Sequence, residues 1–339
     1  MNQTAKPELT GITLRALAPT DLEAVVAIDA RLAGRARRTP YFKRRLDAAL
    51  ADPKLHVQFA ALRSGELVGY VLTRRLAGEF GYPEPALRLE VIGVEPDAHG
   101  HGIGDALLSA VENWASRHGV TALRTQAAWR HHTMLRFLDH SGFELGRNQV
   151  IDCAVHAGRL GDVPDDASAA PAQGSTETNY GTAAANDFEA LARDLADVRT
   201  LAAADAEAIV KVDRARTGRD RSDYIARLVR EALDDSAIRV SLTARVSGMV
   251  VGFIMAKTDL GDFGRTAPVA VIDTIGVNPE FAHAGIGSAL LSQLFVNLHA
   301  LHIERVETVV SRENFDLLAF FYRAGFEPSS RLAFVKHLH

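Results

Sequence analysis

The sequence predicts an α/β fold made of one unit written twice. Long stretches of the first half recur in the second. Each half alternates period-two strand patterns with 3.6-period helix patterns. Each half also sets a glycine-rich turn between an apolar strand and an amphipathic helix.

The repeat is direct. LRALAPTDLEAVVAID (Leu14 to Asp29) aligns with VRTLAAADAEAIVKVD (Val198 to Asp213), and LVGYVLTRR with VVGFIMAKT. LEVIGVEPDAHGHGIGDALLSAV (Leu89 to Val111) aligns with IDTIGVNPEFAHAGIGSALLSQL (Ile272 to Leu294). SGFE (Ser141 to Glu144) aligns with AGFE (Ala324 to Glu327). The offset is 184 early (Arg15 to Arg199) and 183 later (Gly69 to Gly252). A period this long marks a domain duplication rather than a solenoid. The domains are expected at 10–157 and 195–339. The stretch 158–194 is rich in Ala, Gly, Ser, Thr and Asp and poor in large apolar residues. It cannot bury enough surface to offset its ordering entropy and reads as a linker.

Composition bounds the function. The length of 339 residues suits two domains, and 47% hydrophobic residues suffice for two cores. The formal charge of −4 offers no basic field for nucleic acid. One cysteine, Cys153, excludes an intrachain disulfide and fits a reducing compartment. The first residues lack a signal-peptide core, and no run of 18 apolar residues suggests a membrane span. The expectation is a cytoplasmic protein with no nucleic-acid or membrane partner, monomeric or homodimeric.

Each copy opens with a short strand (12–16; 197–201). A helix follows with Asp21 or Asp205 in its first turn, where a carboxylate suits the helix dipole. Leu22, Val25, Val26 and Ile28 keep helical spacing. An arginine-rich turn (Arg35, Arg37, Arg38; Arg219, Arg221) leads to a second helix (41–51; 223–234), with Tyr41 or Tyr224 near its start. Two alternating runs around Ser-Gly read as a hairpin. A long apolar strand (87–94; 269–277) then runs into Pro96 or Pro279. After the glycine turn and its helix come a strand (122–127; 305–310), a helix, a Gly-Phe turn and a last strand that closes the unit.

The turn reads His99-Gly100-His101-Gly102-Ile103-Gly104 in copy one and Ala282-His283-Ala284-Gly285-Ile286-Gly287 in copy two. Glycine lets backbone N–H groups turn inward and a ligand approach closely. The helix beyond presents unpaired N–H groups and a positive dipole end to an anion. Its apolar face is firm: Leu107, Leu108, Val111 and Ala115, against Leu290, Leu291, Leu294 and Leu298. A dinucleotide fingerprint fails because Asp105 stands where its third glycine belongs, and no Gly-Lys-Ser/Thr makes a P-loop. The turn after an I-G-V-x-P strand, twice, is what gives it weight.

With these residues in hand, the chain resembles two tandem GNAT-superfamily N-acetyltransferase domains, almost end to end outside the linker. The first position of the family's Gln/Arg-x-x-Gly-x-Gly/Ala hallmark departs in both copies, being His99 and Ala282. The resemblance implies mixed, mostly antiparallel sheets flanked by helices, with splayed fourth and fifth strands. It implies acetyl-CoA, or another acyl-CoA, as co-substrate and no metal. In copy two, Ile275, Gly276 and Val277 would bind the pantetheine arm. His283, Ala284, Gly285, Ile286, Gly287 and Ser288 would take the pyrophosphate, with Asn314 also at the cofactor. In copy one the matching positions are Ile92, Gly93 and Val94, then Gly100, His101, Gly102, Ile103, Gly104 and Asp105.

Acetyl transfer to an amine needs a base, a stabilised oxyanion and an acid for the leaving thiolate. The resemblance implies Tyr322, before the Gly325-Phe326 turn, as the acid; copy one has Asp139 there. A core role beside Phe320 and Phe321 is the other reading of Tyr322. Asp273 and Glu90, carboxylates in otherwise apolar strands, are the candidate bases, or else structural hydrogen-bonding groups. Copy two, with Asn314 and Tyr322 against His131 and Asp139, is expected to carry the chemistry. The arginine-rich turns suit either a carboxylate-bearing acceptor or solvated salt bridges. His99, His101, His131 and His132 match no zinc spacing, and Trp129 reads as packing. The acceptor is a small-molecule or protein amine. The competing reading is a non-catalytic acyl-CoA-binding or regulatory protein on a degenerate fold.

Overall fold

The computed structural model describes residues 11–33, 37–76, 85–155, 196–234, 240–259, 261–265 and 267–338. The expected linker and Arg35 lie outside them. Copy one supplies β1 (Ile12–Ala16), α1 (Leu22–Ala33), α2 (Thr39–Ala51), β2 (His56–Arg63), β3 (Glu66–Leu76) and β4 (Ala86–Val94). It continues with α3 (Ile103–Arg117), β5 (Ala122–Ala128), α4 (His132–His140), β6 (Glu144–Leu145) and β7 (Asn148–Ala154). Copy two repeats the order: β8 (Asp197–Thr200), α5 (Ala206–Thr217), α6 (Ser222–Asp234), β9 (Leu242–Val246), β10 (Met249–Asp259) and β11 (Val269–Val277). It ends with α7 (Ile286–Ala300), β12 (Arg305–Ser311), α8 (Phe315–Arg323), β13 (Glu327–Pro328) and β14 (Arg331–His337).

The expected last strand does not close its own unit. One sheet runs β1-β2-β3-β4-β5-β14-β6, the other β13-β7-β12-β11-β10-β9-β8. Thus β14 pairs with β5 from Arg331↔Ala128 to His337↔Ala122. Reciprocally, β7 pairs with β12 from Arg305↔Ala154 to Ser311↔Asn148. Only Gly146 and Arg147 separate β6 from β7, and they carry the chain across instead of folding it back. The exchange pairs the edge of β5 that faces away from β4, and that of β12 that faces away from β11. It also places Ile151, Cys153 and Val155 in the core of the other copy, against Val306 and Phe326.

Each sheet has helices on both faces. On one, α3 buries Leu107, Leu108, Val111 and Ala115 against Val71, Leu87 and Leu123, and α7 repeats this with Leu290, Leu291, Leu294 and Leu298. Burying one such leucine contributes about 1.5–3 kcal/mol. On the opposite face α1 and α2 pack Val25, Ile28 and Phe42 on Tyr70 and Leu72; α5 and α6 pack Ile209 and Ile225 on Phe253 and Met255. The sheets are mixed: β4 with β5, and β11 with β12, are parallel, and every other pairing is antiparallel. Covered on both faces, β4 and β11 read as near-continuous apolar runs for that reason.

Candidate active site

Each copy builds a cleft from a splayed strand pair and a glycine turn. The parallel ladder between β4 and β5 holds only at Leu87↔Leu123 and Arg88↔Arg124. That between β11 and β12 holds only at Ala270↔Val306 and Val271↔Glu307. At the fork a threonine hydroxyl replaces the backbone donor: Thr125 Oγ1 donates to the Leu89 carbonyl at 2.9 Å, and Thr308 Oγ1 to Ile272 at 3.0 Å. Beyond the fork, Ile92, Gly93 and Val94 pair with β3, and Ile275, Gly276 and Val277 with β10. Their other edge faces the gap. A Cβ at Gly93 would stand 2.7 Å from the Tyr70 ring, and one at Gly276 2.7 Å from Phe253. Only glycine lets those rings lie under the strand.

The turns open the gap onto a helix N-terminus. Gly102 (φ +72°) and Gly285 (φ +77°) are left-handed residues at the starts of α3 and α7, and neither helix has a side-chain cap. The first-turn amides of Ile103, Gly104 and Asp105, and of Ile286, Gly287 and Ser288, have no intrahelical acceptor. This arrangement fits the pyrophosphate of coenzyme A. The two turns differ two residues earlier. Gly100 is left-handed at φ +77°, whereas copy two holds His283 at φ +62°, a region L-residues avoid.

The candidate bases both sit in β-bulges. Leu72 pairs with Val91 and Thr73 with Leu89, leaving Glu90 as the extra residue. Met255 pairs with Thr274 and Ala256 with Ile272, leaving Asp273. A bulge re-aims a side chain, which explains why an apolar strand tolerates a carboxylate there.

Their surroundings diverge. Glu90 is 1% exposed, with Arg88 at 2.7 Å and Arg45 at 3.2 Å. A short segment of copy two, Gly261 to Arg265, covers it. Asp262 of that segment accepts from Tyr41 Oη at 2.9 Å, from Arg45 and, at 3.2 Å, from Arg88. Burial raises the Asp262 pKa, but Arg45 and Arg88 outweigh it and hold the carboxyl well below the usual carboxylate range. The cradle of copy one is also engaged: the His99 ring lies 2.8 Å from the Val94 carbonyl. Copy two has Ala282 in that place.

Asp273 keeps a side chain 14% exposed, with Lys257 Nζ at 3.0 Å. It lines a cavity of about 70 Å3 together with Lys257 and Glu307 of copy two and Arg88, Arg124 and Gln126 of copy one, and Asp262 and Phe263 line the same cavity. Asn314 caps α8, its side chain accepting from the Leu317 N–H at 3.2 Å. Phe320 packs on Gly287 and Phe321 is fully buried, whereas Tyr322 is 40% exposed. The core reading of Tyr322 is therefore excluded.

The arginine-rich turns are salt-bridged internally. Arg38 binds Asp29, with Nε–Oδ2 at 2.8 Å, and Arg221 binds Asp213 at 2.9 Å. Arg37 meets Glu23 at an exposed site. Trp129 is 47% exposed with Arg130 over its ring, not packed in the core as expected. Among the described residues no group of three or more His, Cys, Asp or Glu could hold a metal, and no helix is long and apolar enough to cross a membrane. Sequence reasoning missed Arg45, Arg88, Lys257 and Asp262. A signal existed for the last: Gly261-Asp262-Phe263-Gly264 repeats Gly78-Glu79-Phe80-Gly81 of copy one.

Comparison with known proteins agrees with this architecture. The profile described as "Acetyltransferase (GNAT) family" matches residues 22–143 and again 207–326, more than two thirds of the chain. Among solved structures, a tandem GNAT protein from the clavulanic acid biosynthesis pathway superposes with TM-score 0.63 at 17% identity, over 97% of this chain and 99% of that one. A GCN5-related N-acetyltransferase from Sphaerobacter thermophilus gives TM-score 0.59 at 18% identity, over 99% and 98%. A glucosamine N-acetyltransferase region of a fungal multi-domain GH3 β-N-acetylglucosaminidase gives 0.64 at 14% identity. That match spans 98% of this chain but only 38% of the fungal one. At these identities the structural likeness speaks for the fold.

Proposed function

The chain belongs to the acetyltransferase (GNAT) family, and from that premise we propose that its C-terminal copy carries an acyl group from acetyl-CoA, or another acyl-CoA, to an amine. The observation that carries this reading is the unequal surroundings of the two bulge carboxylates. Among the described residues Asp273 borders a cavity, which Asp262 also lines, whereas Glu90 is 1% exposed and does not reach it.

The amides from His283 to Ser288 hold the pyrophosphate, and the open edge of Ile275 to Val277 takes the pantetheine arm. Asp273, oriented by Lys257 at 3.0 Å, accepts a proton from the acceptor ammonium. The amine nitrogen then bonds to the thioester carbonyl carbon. Backbone N–H groups on the gap side of β11 stabilise the oxyanion. The C–S bond breaks, Tyr322 protonates the departing thiolate, and the cationic nitrogen gives up its second proton to solvent, leaving the neutral amide. Its exposure beside two packed phenylalanines supports a role outside the core. The acceptor is a small-molecule or protein amine. The N-terminal copy keeps the cradle but not an accessible base, which supports acyl-CoA binding without turnover there.

The test is thiol release from acetyl-CoA by the full chain across a panel of amines, small molecules and peptides. Amine-dependent release supports the proposal. Tight acetyl-CoA binding with no release for any amine would favour a binding protein instead.

A further inference from the structure

The geometry points to a carboxylate-binding site between α2 and β4 of copy one, whose occupant is the chain's own Asp262. The donors come from two elements of copy one. Tyr41 and Arg45 on α2 address Oδ1, with the Tyr41 hydroxyl at 2.9 Å; Arg88 on β4 addresses Oδ2 at 3.2 Å. Asp262 itself belongs to copy two and is 2% exposed.

The segment is shaped to deliver it. Arg38 donates to the carbonyls of Gly261 at 2.6 Å and Arg265 at 3.0 Å, holding both ends of the turn. A Cβ at Gly261 would stand 2.7 Å from the Tyr41 ring, so only glycine seats the turn this deep. Phe263 takes a left-handed φ of +55°, a strained conformation for an aromatic residue. Guanidinium groups of Arg88, Arg265 and Arg331 lie 5.3–5.7 Å from its ring centre.

The fold does not require this cluster. At the matching positions copy two has Leu228 for Arg45 and Val271 for Arg88. The arginine pair is a property of copy one alone, and its ligand class is a planar carboxylate. Asp262 thus acts as an internal pseudo-ligand that occupies this site. The inference stands on geometry, whether or not the C-terminal copy turns over.

Replacing Asp262→Gly empties the site while leaving the arginines. Free acetate, supplied as sodium acetate against sodium chloride at equal ionic strength, then serves as the missing carboxylate. The variant is expected to melt about 10 °C below the parent in chloride, because the two buried arginines have lost one of their two carboxylates and only Glu90 remains. Acetate should restore at least half of that shift, saturably, as a ligand of the folded state does. Asp262→Asn, which still fills the site, and the parent should show no acetate-specific shift. A folded Asp262→Gly variant indifferent to acetate overturns the site, as does an equal response in all three proteins. If Asp262→Gly does not fold in chloride, refolding from urea decides: recovery in acetate alone supports the site. No recovery in acetate, with Asp262→Asn folding normally, overturns it. Neither readout uses acetyl-CoA, so failure here leaves the acetyl-transfer proposal to its own test.

Discussion

The two clefts share a backbone and differ in what their side chains leave open. Each has a strand pair splayed after two register pairs, a threonine at the fork, a bulged carboxylate and an uncapped helix start. In the N-terminal cleft Arg45, Arg88 and Asp262 enclose Glu90, and His99 engages the Val94 carbonyl. In the C-terminal cleft the equivalents of Arg45, Arg88 and His99 are Leu228, Val271 and Ala282. Duplication thus kept the main-chain cradle, while among the described residues a few side chains cover one bulge carboxylate and leave the other at a cavity.

The comparison breaks most completely if the copies are separable. Because β7 and β14 are exchanged, residues 1–157 and 195–339 expressed singly are expected to be insoluble or unfolded by circular dichroism. Co-expressed, they should recover a folded complex. Two independently folded halves would contradict the exchange.

A smaller effect separates the helices after the fork. Tyr322→Phe is expected to lower amine-dependent CoA release about 100-fold, while Asp139→Ala leaves it unchanged. Equal losses would mean both copies turn over. The glycine turns sharpen the contrast further. A Cβ in the left-handed region costs about 1 kcal/mol, so Gly285→Ala should raise the KM for acetyl-CoA several-fold. Gly102→Ala should lower Tm by about 2–4 °C without changing turnover.

The smallest effect is a pH dependence confined to copy one. His56 is held neutral, its pKa lowered to about 3 by burial and by Arg74 and Arg45, against the opposing Glu231 and Asp52. Its folded pKa lies below the unfolded value of about 6.5, so the unfolded chain binds the extra proton between these limits. Stability from this group should therefore fall as pH drops from about 6.5 towards 3. His56→Gln should flatten that part of a Tm profile, and an unchanged slope would refute the assignment.

Much of this was legible in the sequence. The strand and helix positions follow from period, and Gly102 and Gly285 from their place between an apolar strand and a Leu-Leu helix. Glu90 and Asp273 stood out because carboxylates interrupt buried runs. The strand exchange was not legible: an exchanged strand carries the same alternation as one that stays, and only the partner differs. Nor was Asn314 legible as a cap, since the same side chain can cap a helix or bind a ligand. Arg45, Arg88 and Asp262 are ordinary charges in sequence, and only tertiary packing makes them one cluster.

The central claim is one bulge carboxylate at a cavity beside one that is covered. Its most direct test is acetyl-CoA turnover by Asp273→Asn and Glu90→Gln in the full chain, with folding checked by circular dichroism. The account predicts at least a 100-fold loss for Asp273→Asn and less than a twofold change for Glu90→Gln. An equal or larger loss in a folded Glu90→Gln variant would contradict it.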